Sequence, residues 1–292
     1  AELIVPLLRG RNVDRYVTQW EAAEDEQWMI NSHNGIKELG IPPVKLETEY
    51  PVLWNHIVAH EKKLVVRLDK GDHWSNLRNC AYIRDFQKPK IVYPNMTKYL
   101  PFYLDTTEHF FINDKAFILT TETESLAYLT AALNSTVFRC CFMDNFPNLG
   151  EDRRELRKIF MDKIPIKKPT TQQAALFEAL VPMVQAAKAE SQKADCSELK
   201  SVASFLEEVI DACVMEVYFS DHMAEHRLGI MTHVTPLLQD FDAAAPPAQQ
   251  VTAAQQFYAQ ANDSKHPIRN ILIRIPVDSP DLLAVIQREG AV

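Results

Sequence analysis

The sequence predicts an α/β domain of the mixed α+β kind over residues 1–169, followed by a mainly helical segment over residues 170–292. Two observations carry this division. Before Thr170, short β-like runs bounded by Pro, Asp or Asn are interspersed with amphipathic helical stretches. After it come long windows rich in Ala, Leu, Glu, Gln and Lys at helical spacing. Charge divides at the same place. Residues 1–170 hold 23 Lys and Arg against 23 Asp and Glu, and the remainder holds 8 against 16, so the whole net charge of −8 belongs to the second part.

Taken in order, the strand candidates are Glu2 to Leu8, Gln27 to Asn31, Lys90 to Tyr93, Phe110 to Asn113 and Ala116 to Thr120. A helix is expected from Pro51, because Leu53, Ile57 and Leu64 fall on one helical face and Lys63, Arg67 and Lys70 fall largely elsewhere. Another is expected from Glu124 to Phe138. Asn134 and Ser135 suit a helix end and a turn. Asp152 and Glu155 have capping-box spacing, which places a further helix start at Arg153. Gln172 to Lys193 and Glu198 to Phe219 read as two long helices. The stretch AAAPPAQQ (243–250) reads as a linker, ILIRIPV (271–277) as a strand, and the last residues as a short helix.

Several chemistries are excluded by residues that are missing. The seven glycines, at 10, 35, 40, 71, 150, 229 and 290, form no GxG, so there is no dinucleotide loop. Gly35 and Gly40 have P-loop spacing, but Ile41 and Pro42 stand where Lys and Ser/Thr must hold phosphate and Mg²⁺. GxSxG is absent. His222 and His226 share a helix face with Asp221 and Glu225 nearby, yet Met223 stands where a zinc protease needs Glu. A polar helix surface accounts for that cluster; the competing reading is a metal-dependent α/β enzyme. Glu61-Lys62-Lys63 and Glu198-Leu199-Lys200 give half of a nuclease pattern without its upstream Asp. No catalytic residue and no metal ligand is assigned.

The five cysteines include no CxxC pair and are expected to be reduced thiols in a cytoplasm. No window approaches the roughly 20 apolar residues of a membrane helix. The chain opens on AELIVPLLRG, without Met or a signal segment, and is read as beginning inside a longer protein.

Residues 7–168 resemble the TaqI-like C-terminal specificity domain that follows the methylase in Eco57I-type restriction-modification enzymes. The resemblance runs through LLRGRNVDRY (7–16), EQWMIN (26–31), EYPVLWNHIVAHEKKLVVRLDKGDHW (49–74), FQKPKIVYPNM (86–96), FYLDTTEHFFINDKAFILT (102–120), LAYLTAALNST (126–136) and MDKIPIKKP (161–169). Order and spacing carry it rather than any single motif. It implies a target recognition domain that holds double-stranded DNA while an upstream methyltransferase domain of the same polypeptide flips and methylates an adenine. S-adenosylmethionine is then a cofactor of the parent protein, and none is expected in this chain. The alternative is half of a separate type I specificity subunit, with the two long helices as its docking surface.

Lys and Arg neutralise phosphates, and Arg and Lys also read base edges in the grooves. The candidates are Arg9, Arg11 and Arg15; Lys63 and Arg67, with Lys62 and Lys70 beside them; Lys88 and Lys90; and Arg153 and Arg154. Each has a structural alternative. Asp14 suits an ion pair with Arg11 or Arg15, Lys63 and Arg67 suit a solvated helix face, and Glu151, Asp152 and Glu155 suit partners for the Arg153 pair. A methylase of this resemblance needs an (Asn/Asp/Ser)-Pro-Pro-aromatic loop, whereas the Pro-Pro pairs here sit in IPPV (41–44) and APPA (245–248). With that loop and the Gly-rich loop both missing, calorimetric titration with S-adenosylmethionine is expected to give no saturable heat. A stoichiometric isotherm would contradict it.

Overall fold

A computed structural model describes residues 3–20, 26–151 and 153–287, leaving Glu2, Asp152 and the last residues outside the described set. In chain order its elements begin with strands β1 (Ile4–Leu8), β2 (Val13–Asp14), β3 (Val17–Thr18) and β4 (Trp28–Ile30). Helices α1 (Leu46–Glu49), α2 (Pro51–Val58) and α3 (Glu61–Val65) follow. Then come strands β5 (Lys90–Pro94), β6 (Met96–Thr97), β7 (Tyr103–Asp105), β8 (Phe111–Ile112) and β9 (Ala116–Leu119). Helices α4 (Leu126–Asn134) and α5 (Thr136–Asn145), strand β10 (Arg154–Glu155) and helix α6 (Lys158–Met161) close the first part. Helices α7 (Thr171–Ala194), α8 (Ser197–Tyr218), α9 (Ser220–Glu225), α10 (Met231–Val234), α11 (Pro247–Ala261), α12 (Pro267–Asp278) and α13 (Pro280–Ile286) complete the chain.

Two three-stranded sheets organise the first part, ordered β4-β1-β8 and β7-β5-β9. In the second, β5 is central and antiparallel to both neighbours, with Lys90 opposite Asp105 and Val92 opposite Ile118. Alternation sends successive β5 side chains to opposite faces. Ile91 and Tyr93 join the large core that includes α4, α5, α7 and α8, while Val92 joins a smaller cluster with Leu8, Val13, Trp20, Phe110 and Ala116. Both sides of β5 are therefore buried.

Lys90 is corrected by this arrangement. Far from reaching out of a loop towards phosphate, it is completely buried, and its Nζ lies 2.7 Å from Asp105 Oδ2 and 2.8 Å from the Phe86 carbonyl. Asp105 also accepts backbone N–H groups of Glu108, His109 and Phe110, which shapes the turn after β7. Burial lowers the Lys90 pKa, and Asp105 opposes that shift.

Helix breaks follow local polar chemistry. The expected Glu124–Phe138 helix is two helices meeting at a 69° bend. Asn134, buried, bonds both the Phe102 N–H and its carbonyl through its side chain, at 3.1 and 2.8 Å. Ser135 accepts the Phe138 N–H as the cap of α5. The helix expected from Pro51 also stops, at Val58, and resumes only over α3. Arg67 and Lys70 then donate to the Leu64 and Val65 carbonyls that the helix end leaves open.

Beyond Thr170 the two long helices stand where the sequence places them, α7 opened by a capping box of Thr170 and Gln173. Two expectations fail. ILIRIPV is helical, within α12: Ile268, Ile271 and Ile275 are buried at helical spacing while Ile273 is exposed, and Pro267 occupies the first turn. The expected linker at 243–250 leads directly into α11, whose Pro247 starts the helix and whose Ala254, Phe257 and Ala261 are buried. No single helix among the described residues is long and apolar enough to cross a membrane. The bent α4–α5 pair, sufficient by length and composition, contributes Ala131, Leu133, Phe138 and Phe142 to the core.

Helices α7 and α8 share that core with the sheets rather than forming one of their own. Arg15 pairs with Glu207 of α8 at 3.0 Å, and Glu207 also binds Lys188 of α7. Both cations lie beside the ring of Tyr16, at 5.7 and 5.9 Å from its centroid. Tyr16 is buried with a positive φ of 63° in the β2–β3 turn. Asp211 of α8 accepts the backbone N–H and hydroxyl of Thr136, each at 2.7 Å, at the start of α5. Burial raises its pKa against those two bonds. Lys90→Met leaves Asp105 buried without its cation and is expected to lower the unfolding free energy by about 3–5 kcal/mol in urea titrations. A loss below about 1 kcal/mol would show that the pair does not hold β5 in place.

Candidate nucleic-acid interface

One surface with several basic residues is built on α2, α3 and the loop to residue 80. Leu53, Trp54 and Ile57 of α2 pack on a small core of Leu3, Val44 and Leu46, which fixes the helix against β4. The loop is tied to the segment after β4 by buried polar contacts. Ser32 Oγ donates to the Ser75 carbonyl at 2.7 Å, Asn76 Nδ2 to the Val44 carbonyl at 2.9 Å, and Asn34 Oδ1 accepts the Asp72 N–H at 2.9 Å. Gly71 permits this approach, since a Cβ there would lie 2.5 Å from Asn34 Oδ1. Trp54 and Trp74 pack on each other with centroids 5.3 Å apart. Trp28 is more than half exposed, its indole N–H on Glu26 and its ring edge-on to Trp20.

On this scaffold the Lys62 and Lys63 side chains are exposed and make no hydrogen bond or ion pair among the described residues. Lys70 and Arg78 are exposed as well, the latter 3.3 Å from Asp69. Arg67 is different. It is half-buried, and its guanidinium donates to the Leu64, Trp74 and Asn76 carbonyls, so it holds the loop. A cleft between β4 and these helices is lined by Trp28, Ile57, Leu64, Arg67 and Ser75 among others.

The other candidates are dispersed. Arg9 is half-buried at the end of β1 and Arg11 exposed in the tight turn of Gly10–Asn12. From that turn the chain runs directly into β2, so Arg11 and Arg15 stand on no common helix, and Arg15 is committed to Glu207. Lys88 is half-exposed and pairs with Asp85 at 2.9 Å. Residues 154–155 form strand β10, antiparallel to β6, so the helix start expected at Arg153 is absent. The proposed cap, Asp152, lies outside the described residues. Arg153 is exposed against Glu151 at 2.7 Å, whereas Arg154 is buried, donates to the Phe146 carbonyl and lies against the Phe142 ring. Arg154 is a structural residue.

In the histidine cluster, His222 is 2.8 Å from Ser279 Oγ and stacks beside His226. Among the described residues no group of three His, Cys, Asp or Glu side chains is arranged to hold a metal ion.

The body is of the mixed α+β class, and it carries Lys62, Lys63, Lys70 and Arg78 exposed on α3 and the cross-bonded loop after it. The model of the TaqI-like C-terminal specificity domain matches residues 5–166, more than half the chain, and the chain belongs to that family. Its role is sequence-specific DNA recognition in a restriction-modification setting, which makes DNA the partner. No curated protein matches the chain. The matched span covers every strand from β2 to β10 and stops before α7.

The adjacent arginines separate experimentally. Arg154→Ala is expected to lower stability by about 1–3 kcal/mol through the buried carbonyl it abandons. Arg153→Ala should stay within about 0.5 kcal/mol of the parent in thermal melts. Equal effects would overturn the assignment.

Proposed function

We propose that this chain is the DNA-specificity part of a type IIG-like restriction-modification enzyme that methylates adenine. An upstream methyltransferase domain would bind S-adenosylmethionine and flip the target base, in the cytoplasm, while residues 5–166 hold the flanking duplex. The family match carries this reading. The absence of a Gly-rich loop and of an Asn-Pro-Pro-aromatic loop agrees with it, since this chain then supplies recognition without chemistry.

Contact is expected through phosphates first, with Lys62, Lys63, Lys70, Arg11, Lys88 and Arg153 as exposed cations, of which Lys88 and Arg153 exchange a surface carboxylate and Lys70 a carbonyl for phosphate. Surface ion pairs are worth little, so that exchange costs little. The type I subunit alternative is less well supported. It needs α7 and α8 as a docking surface, and their apolar residues, including Phe177, Val181, Val202 and Val209, are already buried in the chain's own core.

Fluorescence anisotropy with duplex DNA tests the proposal. Binding is expected to weaken steeply between low and physiological salt, and Lys62→Ala with Lys63→Ala should reduce the slope of log K against log salt by about 2. No binding at low salt would sink the reading.

A further inference from the structure

The loop after α3 displays an apolar tip that the fold does not use. Leu68 is 100% exposed and Val66 75%, on a loop held by hydrogen bonds of its neighbours. Arg67, between them, is turned inward onto three carbonyls. Lys70 returns to the Val65 carbonyl, Gly71 N–H to the Asn76 carbonyl at 3.0 Å, and Asp69 meets Arg78. Flanking residues of an inward arginine are left facing out. Two aliphatic side chains are thereby held in water on a pre-organised support, with the exposed Lys62 and Lys63 on the short helix that leads into them.

Apolar tips flanked by cations have a specific use on duplex DNA. An aliphatic side chain inserted at a base step unstacks it and bends the helix, and neighbouring cations hold the phosphates on either side. The cost of unstacking depends on sequence, being least at flexible pyrimidine–purine steps, so such a wedge selects sequence without hydrogen-bonding any base. We infer that Leu68, supported by Val66, is a wedge that enters the base stack and bends the bound duplex, with Lys62 and Lys63 anchoring the adjacent backbone. The inference rests on the DNA-recognition reading above and adds to it a residue that sets specificity through DNA deformation. Duplex DNA is favoured over a protein or lipid occupant because the loop lies inside the span matched by the DNA-specificity family and carries complementary charge.

The test uses the whole chain and end-labelled duplexes of about 30 base pairs, one with a central TA step and one with a stiff A-tract. Energy transfer between the ends reports bending, and anisotropy reports affinity. The parent chain is expected to bend the TA duplex and to bind it more tightly than the A-tract. Val66→Ala with Leu68→Ala should abolish most of the bend and the preference, weaken TA binding by about tenfold, and leave the melting temperature unchanged. Lys62→Ala with Lys63→Ala should weaken both duplexes while keeping the bend at saturation. Unchanged bending in the Leu68 variant would overturn the wedge and leave the DNA reading intact. Failure of the parent to bind either duplex would remove both. Self-association or vesicle binding lost in the Leu68 variant, with DNA binding unaltered, would assign the tip to another occupant and overturn the wedge.

Discussion

The buried pair of Lys90 and Asp105 constrains the rest of the first part. Strand β5 has no solvent face, because one side contributes to the large core and the other to the smaller cluster under β1 and β8. A slip of one residue would exchange the two sets of side chains. Pairing Lys90 with Asp105 across β5 and β7 penalises that slip, since a displaced charge would be buried without its partner. The same carboxylate closes the turn towards β8, so strand register and loop geometry share one anchor.

A second dependence joins the two halves. The family-matched region ends before α7, but its large core is completed by α7 and α8 and extends to Ile286 of α13. Polar contacts at that seam are specific. Glu207 gathers Arg15 and Lys188, and Asp211 receives the first N–H of α5. These place the charged groups of α8 against the recognition part, where they fix its orientation on the helices. The change of sequence texture at Thr170 thus marks a change of secondary structure within a shared core.

This sharing alters how the basic residues are counted. Arg15, Arg67, Lys90 and Arg154 are turned inward, onto a carboxylate or onto carbonyls that helix ends and loops leave open. Among the candidates left at the surface, Lys62, Lys63 and Lys70 lie together on α3 and its loop. That placement supplies a physical route to modest, salt-sensitive DNA affinity from a region with no net charge.

Local pattern determined much of this protein. The bounded apolar runs specify β1, β5 and β9, the capping pair Thr170 and Gln173 opens α7, and the order of motifs from LLRGRNVDRY to MDKIPIKKP identifies the family. These signals lie within a few residues of each other, or in their sequence order, and survive without long-range information. The remainder was decided by partners distant in sequence. Lys90 and Lys88 are indistinguishable as letters, and only Asp105, fifteen residues on, separates a core residue from a surface one. ILIRIPV alternates well enough for a strand, but a core open to Ile268, Ile271 and Ile275 on one side makes it helical. Arg153 and Arg154 part company through the pairing of β10 with β6, nearly sixty residues earlier. The exposure of Leu68 beside an inward Arg67 is seen only in the folded chain, because burial is a property of the packed chain and leaves no mark in the residue itself.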